Sequence, residues 1–96
     1  MEINLPEQLL LQRSNDGDVA AFHELYQLHN RDVFTQVNMR LPDNEDAKDV
    51  VQDIFIELWL KKEILSSISD IKPYLYVLAR NQVITAYRGK NVQLKK

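Results

Sequence analysis

Residues 46–59, DAKDVVQDIFIELW, decide the fold. Ala47, Val50, Val51, Ile54, Phe55, Leu58 and Trp59 fall at i, i+3, i+4, i+7, i+8, i+11 and i+12. That spacing is a continuous stripe on a helix and has no counterpart on a strand, where faces alternate every residue. Asp43, just ahead, is the expected N-cap, with Asp46 three residues on. The carboxylates Asp46, Asp49, Asp53 and Glu57 recur at i, i+3, i+7 and i+11, with Gln52 beside them, on the side away from the apolar stripe. Like charges at this spacing repel. Only the first gains from the positive helix N-terminus, an effect that fades within a turn. Helix stability therefore does not account for the whole stripe; a basic partner would, and on the residues alone a solvated surface is the plainer reading.

Toward the N-terminus, Leu41-Pro42 closes a longer helix, because proline disfavours α geometry in the residue before it. Over residues 19–41 the positions Phe22, Leu25, Tyr26, Val33, Val37 and Leu41 keep the three-and-four spacing of one buried stripe. Asn15-Asp16-Gly17-Asp18 reads as a turn with aspartates able to cap that helix, and Pro6 opens a short helix reaching about Ser14. Toward the C-terminus, residues 61–72, KKEILSSISDIK, carry three serines and a weak period, and read as a loop. A last helix is expected from near Pro73 to about Gly89. On it Ile71, Leu75, Ala79, Val83 and Ala86 gather on one side; Tyr74, Arg80, Asn81, Thr85 and Arg88 share a sector of roughly 140° on the other. This projection leaves Tyr74 more exposed than Tyr76, so Tyr74 is expected at the contact face and Tyr76 and Tyr87 in the core; Trp59, in the apolar stripe of residues 46–59, is expected in the core as well. The expected fold is all-α: a compact bundle of three main helices plus a short N-terminal one.

A chain of 96 residues, 45% hydrophobic and 27% charged, fits one domain. No stretch approaches the roughly 18 apolar residues of a membrane helix, and the first residues are acidic where a signal peptide is basic, so no membrane role and a cytoplasmic location are expected. With no cysteine there is no disulfide framework and no thiolate metal site. The net charge of −2 conceals an asymmetry. Residues 1–60 hold four basic and twelve acidic side chains, a balance of −8, while residues 61–96 hold eight basic and two acidic, a balance of +6. Two partners of opposite charge fit this division; two solvated faces fit it as well.

Catalysis finds no support. His23 and His29, six apart on one helix, point to different faces, so neither a shared metal site nor a cofactor is expected. The carboxylates line a convex helix, and no nucleophile–base set or glycine-rich phosphate loop is present. The exposed face of the last helix instead has the chemistry of nucleic-acid contact: arginine for phosphate or guanine, asparagine and threonine for base edges, tyrosine for stacking. On residues alone, three readings stay open: a single-strand reader, a duplex-binding helix-turn-helix regulator, and an interaction module whose acidic helix docks a basic protein without touching DNA.

The acidic helix, serine-containing loop and Tyr/Arg/Asn helix, in that order, resemble region 2 of bacterial sigma factors of the extracytoplasmic-function type. The likeness covers about residues 9–90: DGDVAAFHELY resembles the opening helix pair, LPDNEDAKDVVQDIFIELW the acidic segment, and IKPYLYVLARNQVITAYR the promoter-reading helix. The resemblance implies a transcription-initiation specificity domain whose acidic helix docks on the β′ coiled coil of core RNA polymerase, through Asp49, Gln52 and Asp53 with Asp46 and Glu57 on the same stripe. It implies that the loop, with Lys62, Ser66 and Ser67, forms a pocket for a flipped base of the minus-ten element. Lys72, Tyr74, Arg80, Asn81, Thr85 and Arg88 would hold the single-stranded non-template DNA. An anti-sigma factor is a further implied partner. Three departures stand out: Thr85 where the family commonly has Asp, Val77 where it has a basic residue, and a tail with only Arg88, Lys90, Lys95 and Lys96 as cations. No minus-thirty-five-reading domain follows, so residues 1–90 are expected as an excised domain and residues 91–96 as a basic linker.

Overall fold

The computed structural model describes residues 6–94, the last six as backbone only. Its elements run α1 (Glu7–Asn15), α2 (Val19–Arg40), α3 (Asn44–Leu60), a short 3-10 helix η1 (Lys62–Ser67) and α4 (Ile71–Leu94). The punctuation acts as the sequence predicts. Gly17 takes φ +93, a region costly for any residue with a Cβ, and turns the chain into α2. Asp18 caps α2 by accepting from the Ala21 N–H at 3.2 Å. Asp43 caps α3, its Oδ1 accepting from Glu45 N at 2.9 Å and Asp46 N at 3.1 Å.

α2 lies centrally, packed against α1, α3 and α4, and η1 packs on α1. The core is the sum of the inward stripes: Leu10 and Leu11 from α1, Leu25, Val33 and Val37 from α2, Val50, Val51, Ile54, Phe55 and Leu58 from α3, and Ile71, Leu75, Leu78, Ala79 and Val83 from α4. Each large side chain so buried contributes about 1.5–3 kcal/mol. His29 is also buried, and its Nε2 meets Glu7 Oε2 at 2.9 Å, tying α1 to α2.

Several expectations are corrected. Residues 61–72 are not a plain loop, because Leu65 is fully buried and Ile68 packs on the core, which pins six residues as η1. Gln8 Nε2 donates to Ser69 O at 2.7 Å and fastens the following turn to α1. α4 begins at Ile71, two residues before Pro73, so the proline falls in the first turn, where its missing N–H is not needed. α4 also continues through Gly89 to Leu94; glycine lowers helix propensity by about 1 kcal/mol but does not stop a helix. Residues 91–94 of the expected linker are therefore helical, and residues 95–96 lie outside the described residues.

Further corrections concern side chains. Tyr26 is 37% exposed at the margin of the α2 stripe, its ring edge-on to Phe55 at 4.9 Å, and Trp59 is half-buried against Phe22 at 4.9 Å. The tyrosines of α4 are exchanged relative to expectation: Tyr74 packs against the core, whereas Tyr76 and Tyr87 are exposed. Leu78 is buried and widens the covered arc on the Tyr74 side; Tyr76 and Tyr87 lie past its opposite edge. The Tyr87 hydroxyl donates to the Arg40 carbonyl at the end of α2.

One core atom is unsatisfied. Ser14 is completely buried and its Oγ has no hydrogen-bond partner among the described residues. An orphaned buried hydroxyl costs about 1–3 kcal/mol. Ser14→Ala is therefore expected to stabilise the domain by about 1 kcal/mol, read as a higher denaturation midpoint in urea; an unchanged or lower midpoint would count against it.

Candidate functional site

Two faces of opposite charge emerge. On α3, Asp49, Gln52 and Asp53 are exposed on the side opposite the buried stripe. Asp49 and Asp53 make no ion pair among the described residues, while Asp46 is half-buried and has an interaction of its own. The charges that repel along this helix thus remain as an outward acidic strip.

Glu57 departs from the strip. It turns toward α4, accepting from Gln82 Nε2 at 2.9 Å and from Lys61 Nζ at 3.0 Å. The bonds from Lys61 and then Gln82 hold the carboxyl below its ordinary 4.5. A carboxyl that binds its proton less readily folded than unfolded stabilises the fold above the unfolded value, and this contribution is lost as pH falls through the lower, folded value. The Tm advantage of the parent over Glu57→Gln, present above the ordinary carboxyl value, is accordingly expected to shrink as pH falls below it, in thermal melts followed by circular dichroism. An advantage that grew on acidification would refute the assignment.

The second face belongs to η1 and α4. Arg80, Asn81, Thr85 and Arg88 are exposed along α4, Thr85 Oγ1 donating to the Asn81 carbonyl at 3.0 Å. Lys72 lies near the start of α4 with its Nζ 3.8 Å from Asp32 Oδ2, and no carboxylate occurs in residues 71–88. In η1, Ser66 and Ser67 are exposed; Ser66 Oγ meets the Asn15 amide group at 3.4 Å and Ser67 Oγ donates to Ile64 O at 2.7 Å. Lys62 does not project freely, since its Nζ sits 4.7 Å from the Trp59 ring, a cation–π contact. Tyr74 is half-buried, which leaves part of its ring beside this face. The two faces adjoin at the Glu57–Gln82 hydrogen bond.

Sequence reasoning missed a third feature. Between α2 and α3 runs an open groove of about 860 Å³, walled by Phe22, Tyr26 and Phe34, with Arg31 and Lys48 among its lining and Gln52 joining it to the acidic face. The signal lay in Phe22 and Tyr26, aromatics of α2 that the spacing assigned wholly to the core. Among the described residues no His/Asp/Glu cluster is suited to a metal ion, and no helix is long and apolar enough to cross a membrane.

This order of helices, with an acidic α3 and a cationic α4, agrees with a known family. The Sigma-70 region 2 family matches residues 25–92, most of the chain. The chain belongs to the sigma-70 region 2 family. Within that family it is 28% identical, over 87 residues, to the RNA polymerase sigma factor NccH of Alcaligenes xylosoxydans xylosoxydans, an alignment covering 91% of this chain and 47% of NccH. The chain thus spans about half the length of that relative. Its fold superimposes with a TM-score of 0.84 and 27% identity on an engineered region 2 of sigmaE, solved by NMR in complex with GTAAAA, each chain covered completely. The sigma region 2 resemblance and the all-α bundle read from the sequence are both borne out, whereas the roles of individual residues rest on the geometry above.

Proposed function

We propose that this sigma region 2 domain confers promoter specificity on bacterial RNA polymerase, docking on the core enzyme through α3 and holding melted minus-ten DNA with η1 and α4. The observation that carries this reading is the carboxylate-free, cationic outer face of α4, in the fold that in the engineered sigmaE region 2 is bound to GTAAAA. Arg80 and Arg88 would pair with phosphates, and Asn81 and Thr85 with base edges. Ser66, Ser67 and the exposed edge of Tyr74 would receive an unstacked base, with Lys62 and Lys72 adding positive charge nearby. Asp49, Gln52 and Asp53, flanked by Asp46, would meet the basic surface of the β′ coiled coil, with Glu57 bracing α3 against α4. The nucleotide chemistry in this reading belongs to the polymerase, in the cytoplasm, and the domain is a non-enzymatic specificity module. An anti-sigma factor would be a further partner. Residues 1–90 form the domain and residues 91–96 a basic extension of it.

Unstacking costs a few kcal/mol per base, and stacking on one aromatic returns roughly 1–3 kcal/mol. Isolated domain is therefore expected to bind single strands weakly and duplex more weakly still. Fluorescence anisotropy with labelled GTAAAA, alone and in a duplex, tests this. The expected result is a preference for the single strand, and for Arg80→Ala with Arg88→Ala a roughly tenfold loss of affinity and a salt slope shallower by about 1.4, from two lost phosphate contacts. Preference for duplex would favour a helix-turn-helix regulator, and no binding of either would favour a protein-interaction module.

A further inference from the structure

The outer face of α4 carries an apolar pair that phosphate contact does not explain. Val77 is 54% exposed and Ile84 40% exposed. Seven residues apart, they stand two turns apart on nearly one line, opposite the buried stripe. Arg80 lies on one side of that line, and Asn81 and Arg88 on the other. Single exposed apolar residues are ordinary on protein surfaces. Here, however, two β-branched side chains occupy the middle of the face, where they lower helix propensity relative to the lysine, arginine or glutamine that solvent would favour. The flanking side chains select an anionic ligand, because Arg80 and Arg88 have no carboxylate beside them on α4. An occupant must therefore present negative charge at the flanks and an apolar group at the centre.

Among the edges of DNA bases, thymine alone offers an apolar group, its C5 methyl. We propose that Val77 and Ile84 are specificity-determining residues that read thymine methyls on the strand held by α4. This inference rests on the nucleic-acid reading of α4 given above and goes further by naming the base and the contact. Two helical turns span about 10.5 Å, or about three stacked base steps of 3.4 Å. The two side chains thus address thymines about three positions apart, while Arg80 holds a phosphate between them and Arg88 one beyond Ile84.

Strands of oligothymidylate and oligodeoxyuridylate of equal length provide the test, since they share charge and hydrogen-bonding groups and differ only in the methyl. The chain should bind the thymine strand about fourfold more tightly for each methyl covered, hence about tenfold or more for two, in NMR titrations that also follow the Val77 and Ile84 methyl signals. In Val77→Ser with Ile84→Ser, whose sites are exposed, the preference should fall below about twofold with affinity for the uracil strand little changed. Equal affinity of the parent for both strands would overturn the thymine assignment while leaving the nucleic-acid reading intact. A preference retained by the double variant would overturn the assignment to these two residues. Failure of either strand to bind would remove the nucleic-acid reading of α4, and this inference with it.

Discussion

Asp49→Arg combined with Asp53→Arg is expected to weaken binding to purified core RNA polymerase by at least about a hundredfold without loss of helical content. Both side chains are exposed and make no ion pair among the described residues, so the substitution removes no internal contact. It also relieves repulsion along the outer face of α3, where Asp46, Asp49 and Asp53 follow one another at helical spacing. The fold should therefore be as stable as the parent or slightly more so. Against a basic docking surface, in contrast, each substitution converts an attraction into a like-charge contact, and such contacts cost several kcal/mol. Since 1.4 kcal/mol is tenfold in affinity, two reversals reach a hundredfold under conservative assumptions. Binding should be measured at two salt concentrations, because the attraction weakens with ionic strength. Equal binding by a well-folded double variant would mean that this strip is not the docking surface. Weak binding by both proteins would count against polymerase docking itself.

Leu58→Ala is expected to destabilise the domain by about 2–5 kcal/mol, whereas Leu60→Ala, two residues on, should change stability by less than about 0.5 kcal/mol. Leu58 is fully buried at the centre of the α3 stripe and Leu60 is 69% exposed on the opposite side. Truncation at Leu58 removes hydrophobic transfer energy and leaves a cavity that the four packed helices cannot fully close. Small domains have about 5–15 kcal/mol in total, so this one change threatens folding. For a domain of this size a loss of that magnitude lowers Tm by roughly 10–30 °C. Urea denaturation should show a reduced midpoint with an unchanged slope if the transition stays two-state. Similar effects for the two leucines would contradict the helical phase of α3, and with it the outward direction of Asp49 and Asp53. The same contrast links stability to function: Leu58 fixes the inner face of the helix whose outer face is proposed to dock.

The sequence by itself determined the features that arise within one element. Asp18 and Asp43 could be read as caps, Gly17 and Pro42 as breaks, and the α3 stripe from Ala47 to Leu58 as core, because capping, backbone restriction and helical period act over a few residues. The acidic strip was legible for the same reason, and so was the family resemblance, which follows the order of these segments. The tertiary structure decided whatever depends on the width of a covered arc or on a partner distant in sequence. A projection gives the direction of Tyr74, Tyr76 and Tyr87, but only the packing of α4 against α2 and α3 determines that the first is half-buried and the others exposed. Glu57 lies on the acidic stripe by spacing, yet it turns to Gln82, 25 residues away. Residues 61–72 have too weak a period to declare a helix, but burial of Leu65 orders them as η1. The groove between α2 and α3 is likewise a property of two helices side by side. Periodicity specifies where a side chain points, whereas burial depends on what the folded chain brings there.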